Sequence, residues 1–102
     1  MDAILRLPYE DEESGLLERV YEKDVEFAEP PVAGGLSPPI RAVGDAKGRL
    51  IERVAYPEAG GCVVWLAPIT GFSQLAFRRK NALDQALLAG GWRRVQHRSP
   101  PA

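Results

Sequence analysis

Apolar residues fall along this chain in short runs cut by proline and glycine. Leu50, Ile51, Val54 and Tyr56, interrupted by charge, lead into Pro57-Glu58-Ala59-Gly60-Gly61, and the unbroken run Cys62-Val63-Val64-Trp65-Leu66 follows. β-branched and aromatic residues in runs of this length, bounded by turn formers, predict two strands of an antiparallel hairpin. The unbroken run suits a strand covered on both faces, so the second strand is expected in the middle of a sheet. Val63 and Trp65 are expected on its buried side, where truncating Trp65 to Ala would cost about 3–5 kcal/mol.

Upstream, Ala3 to Leu7 predicts a strand ending at Pro8. The acidic run Glu10-Asp11-Glu12-Glu13 is suited to a helix start, where the dipole favours carboxylates. Leu16, Leu17, Val20 and Tyr21 follow at the i, i+3, i+4 spacing of one helical face. A helix to about Lys23 is therefore predicted, then a short extended piece from Val25 to Ala28; the shared parity of Leu17, Tyr21, Val25 and Phe27 supports an extended alternative. Pro30-Pro31 and Gly34 to Pro39 mark a long crossover. Ile40 to Val43 enters a strand, and Gly44 to Gly48 turns it.

Residues 72–80, FSQLAFRRK, alternate well enough for a further meander strand, with a helix beginning at Ser73 as the alternative. Asn81 and Asp84 resemble a capping box, so a helix is placed after Asn81, carrying Ala82, Leu83, Ala86 and Leu87 inward and stopping at Gly90-Gly91. Trp92 to His97 forms a last strand. The expected fold class is α+β: an antiparallel β-meander sheet with two helices packed on one face, in a single domain over residues 1–102. The alternative is a ferredoxin-like βαββαβ order.

Composition narrows the function classes. No apolar run approaches the ~18 residues of a membrane span, and the first residues lack the pattern of a secretory signal. One cysteine permits no internal disulfide, which favours a cytoplasmic protein. Ten arginines against three lysines are compatible with a GC-rich bacterial source.

The net charge of −1 hides an asymmetry. Residues 1–30 hold ten acids and three bases; the remainder holds ten bases and four acids. These halves can neutralise each other within one fold or across a dimer.

Chemistry-bearing patterns are sparse. Cys62 heads an apolar strand and is expected as a small buried hydrophobe. With His97 it makes no zinc-binding spacing, and the acidic run lacks the alternation and glycine of a calcium loop. No nucleophile elbow, P-loop or dinucleotide fingerprint is present. Neither a catalytic set nor a cofactor or metal site is expected. Arg78, Arg79, Lys80, Arg93 and Arg94, near Phe77 and Trp92, form the candidate surface for nucleic acid or another anion. The sequence therefore suggests a domain that works by protein–protein interaction, as a homo-oligomer and most simply a dimer, with weak RNA or DNA binding through the C-terminal arginines as the alternative.

Overall fold

The computed structural model describes residues 1–11, 13–71 and 77–95. Its centre is β1 (Asp2–Asp11), paired antiparallel with the equally long β2 (Leu17–Glu26). Burial alternates along β1 as far as Leu7: Ala3, Leu5 and Leu7 are buried while Ile4 and Arg6 are less so, and Pro8 and Tyr9 are then both buried. The register sets Leu7 beside Tyr21 on one face and Arg6 beside Glu22 on the other, so at the middle of the pair an apolar couple and a charged couple lie on opposite sides.

β2 replaces the predicted first helix. The i, i+3, i+4 spacing is present, but a helix would bury Leu16 with Leu17, and Leu16 is exposed. A tight hairpin decides the matter. Asp11 and Leu16 close it, Asp11 N–H donating to Leu16 O at 2.9 Å and Gly15 N–H to Asp11 O at 2.8 Å. Gly15 sits at φ 68°, where a side chain would be strained. Ser14 Oγ donates to Asp11 Oδ2 and accepts from Leu16 N–H. Asp11, from the acidic run, serves the turn and not a helix dipole.

After β2 the chain crosses over through residues 27–50. Ile40 to Val43 is not a strand: Arg41–Val43 is a single turn of 3₁₀ helix, with Ile40 buried beneath it. The crossover is tied to the sheet by Gly34 N–H to Ile51 O and Ile51 N–H to Gly35 O, and to itself by Ser37 N–H to Arg49 O, each at 2.8 Å.

The predicted hairpin then appears as β3 (Ile51–Ala55) against β4 (Cys62–Leu66). β4 is internal, between β3 and β1. Its pairing with β1 is parallel, which rules out a meander. The inward side is also the opposite of the expected one: Cys62, Val64 and Leu66 join the core, while Val63 and Trp65 lie half-buried on the other face.

β5 (Ile69–Gly71) continues along the same side of β1, also parallel. Between Arg6↔Trp65 and Tyr9↔Ile69 the β4–β5 side gains one residue, a bulge at Ala67-Pro68. Arg49 holds that bulge. Its Nε donates to Ala67 O at 2.5 Å and its Nη2 to Pro68 O at 2.6 Å, while Asp45 takes Nη1 at 2.8 Å.

One helix, α1 (Phe77–Ala89), follows, so Asn81 lies inside it and does not cap it. Residues 72–76 lie outside the described residues; 77–80, predicted as strand, are helical. Leu87 packs into the core with Leu83 beside it. Gly90-Gly91 ends the helix as expected: Trp92 N–H reaches Leu87 O and Gly91 N–H reaches Leu88 O, with Gly91 at φ 90°. β6 (Arg93–Val95) closes the other edge against β2.

The result is a mixed six-stranded sheet in the order β3-β4-β1-β2-β6, with β5 also on β1, and one helix. It is neither a meander with two helices nor ferredoxin-like, because residues 17–23, assigned to a first helix, belong instead to the long strand β2. Among the described residues, no helix is long and apolar enough to cross a membrane.

Candidate functional site

Pairing partners share a face, so the registers assemble one transverse row on the side of the sheet away from α1. Arg53 of β3 stands beside Trp65 of β4, Trp65 beside Arg6 of β1, Arg6 beside Glu22 of β2, and Glu22 beside Arg93 of β6. Arg6 and Arg53 approach Trp65 from its two neighbouring strands, their guanidinium carbons 5.1 and 5.2 Å from the ring centroid. Both distances are within cation–π range.

Glu22, only 8% exposed, receives Arg6 Nε at 2.6 Å and Arg93 Nη2 at 3.4 Å. Two guanidiniums compensate the desolvation of this carboxylate. Arg93 also donates to both oxygens of Asp24, at 3.1 and 3.2 Å, and these hydrogen bonds raise its guanidinium above the ordinary value.

Two of the candidate basic residues, Arg93 and Arg94, are set on opposite faces of the sheet. Arg93 lies on the row, whereas Arg94 pairs with Tyr21 on the helix-covered side and meets Asp84 at 3.5 Å. Arg78, Arg79 and Lys80 occupy the first turn of α1. Acids from the first third of the chain, Glu22 and Asp24, are thus joined to Arg93 from the last third within a single chain.

Asp84 anchors α1 to the sheet. It accepts from the Tyr21 hydroxyl at 2.8 Å and lies 3.6 Å from Arg19. Burial pushes the Tyr21 phenol above its ordinary value; Asp84 pushes the same way and Arg19 opposes. The phenol therefore ionises later in the folded chain than in the unfolded one. Its contribution to stability is complete below about pH 10 and is lost as pH rises through the folded value. Tyr21→Phe should cost about 1 kcal/mol at neutral pH, and that difference should shrink as pH rises above about 10. Denaturant titrations at several pH values measure it; a difference independent of pH would contradict the coupling.

Cys62 is buried in the core, as expected. His97 lies outside the described residues. Among the described residues, no group of three His, Cys, Asp or Glu could hold a metal ion.

The edge strand β3 is covered only in part. At Ile51 the outer side of β3 is taken by Gly34 and Gly35, but from Glu52 to Ala55 its outward backbone has no partner among the described residues. Exposed apolar side chains flank this open edge: Leu36 (60%) and Leu50 (46%) at one end, Tyr56 (60%) at the other. Sequence reasoning named neither the row nor this edge by residue. The only available signal was the alternation Ile4-Arg6-Pro8 between Ala3, Leu5 and Leu7.

Among the described residues, these features define a small mixed-sheet domain with one helix, a charged aromatic row on its second face, and an open edge along β3. No family model, curated protein or solved structure matches the chain.

Proposed function

We propose that this protein is a small interaction domain that self-associates as a homodimer through the open edge of β3. The observation that carries it is the backbone from Glu52 to Ala55, unpartnered among the described residues and flanked by exposed Leu36, Leu50 and Tyr56. Unpaired strand edges are templates for pairing with another chain. A two-fold axis normal to the sheet and centred on Val54 sets Arg53 opposite Ala55 of the partner subunit. That register avoids the like-charge contact that centring on Arg53 would create. The lone thiol, buried and unbridged, suits work in the cytoplasm.

Nucleic-acid binding through the C-terminal arginines is the weaker reading, because Arg93 and Arg94 are already engaged by carboxylates. Sedimentation equilibrium over a concentration series should give a dimer. The double variant Leu50→Lys, Tyr56→Lys, altered only at exposed positions, should weaken association at least about tenfold. A wild-type protein that stays monomeric at every concentration, or a variant that dimerises equally well, overturns the proposal.

A further inference from the structure

Between the 3₁₀ turn and the C-terminal end of α1 lies a cavity of about 510 Å³, within the size range of small-molecule sites. Its chemistry is one-sided. Lys23 and Arg41 both line it, and neither has a carboxylate partner among the described residues. Trp92 lines it as well. Ile40, Ala86 and Ala89 supply apolar walls, and no acidic side chain contributes. The cavity therefore offers donors and positive charge, with no side-chain carboxylate to oppose an anion.

Part of this has a purely structural explanation. Lys23 lies against Gly91, where its Nζ meets the negative end of the α1 dipole. That does not account for Arg41, which is exposed on the 3₁₀ turn and serves no carboxylate among the described residues. Nor does it account for the small Ala86, Ala89 and Gly90, which leave space beside a buried tryptophan. Two cations over an apolar floor are what an amphipathic anion requires: charge for the head group, apolar wall for the body.

We infer that this crevice binds a small organic anion, a carboxylate or phosphate carried on a compact apolar body, with Lys23 and Arg41 taking the anionic group and Trp92 and Ile40 the apolar part. The site is separate from the β3 edge, since no residue of that edge lines it.

The test is an NMR titration of the full chain with benzoate and with phenyl phosphate, following the Trp92 indole N–H, and with benzyl alcohol as a neutral control. Trp65→Phe assigns the two indole signals. The Trp92 signal should move saturably with at least one anion, with a dissociation constant in the ~1 mM range, and should not move with the alcohol. Whichever of the two binds more tightly identifies the head group. Arg41→Gln, at an exposed position, should weaken binding about tenfold without risk to folding, and adding Lys23→Gln should abolish it. No saturable shift with either anion, an equal shift with benzyl alcohol, or undiminished binding by Arg41→Gln would each overturn the assignment.

Discussion

Gly48→Ala should cost more than alanine at the other glycines among the described residues. Gly48 has φ 94°, and a Cβ placed on it would lie 2.0 Å from the backbone oxygen of Ser37. Two penalties combine. A non-glycine residue held in that region costs about 1–3 kcal/mol. The overlap adds to this, because the atom in the way is backbone and not the movable end of a side chain. Ser37 is itself fixed: it is buried, its N–H donates to Arg49 O, and its hydroxyl accepts from Arg49 N–H and donates to Pro38 O. Moving Ser37 would displace Arg49, whose guanidinium holds the Ala67-Pro68 bulge. The expected loss is about 3 kcal/mol or more, a large share of a small domain's stability. Chemical denaturation measures it, and a loss below about 1 kcal/mol would mean that the crossover is not locked as described.

The second large effect is a comparison of neighbours. Leu66→Ala should cost about 2–5 kcal/mol, because Leu66 is 0% exposed within the core cluster. Trp65→Ala removes a larger side chain but should cost only about 1–2 kcal/mol, since it empties no core space and gives up half-buried contacts with Arg6 and Arg53. The larger truncation is expected to be the cheaper one. Equal costs, or a costlier Trp65→Ala, would mean that β4 presents its other face to the core.

That comparison also marks how far the sequence could be read. Cys62-Val63-Val64-Trp65-Leu66 announces an internal strand because it is apolar throughout, and the same property hides which side faces inward. Only the charged alternation of β1, passed on through the Arg6↔Trp65 register, settles it. Local signals did well where the physics is local. The β3–β4 hairpin and the Gly90-Gly91 helix stop depend on residues a few positions apart. They failed where a distant partner decides. Residues 17–26 satisfy a helical spacing and a strand parity at once, and pairing with β1 selects the strand. Ala3 meets Cys62 in a parallel ladder that no neighbouring residue encodes. The candidate arginines were visible as a run of charge, but their acid partners Glu22, Asp24 and Asp84 come from other elements.

The charge asymmetry now has a physical role. The acids of the first third neutralise Arg6 and Arg93 across the sheet, and part of the basic character of the last third is used inside the fold. Arg53 is left as the guanidinium of the row with no carboxylate partner among the described residues. It lies on the open edge, so association there can use it.

The measurement that tests the open edge most directly is amide hydrogen exchange at Glu52 to Ala55 across a dilution series. Pairing through this edge predicts that the outward amides of these residues exchange quickly in dilute solution and become protected as concentration rises, while the β1 amides stay protected throughout. A dimer that forms with no change in β3 exchange, or β3 amides that exchange equally fast at every concentration, would contradict it.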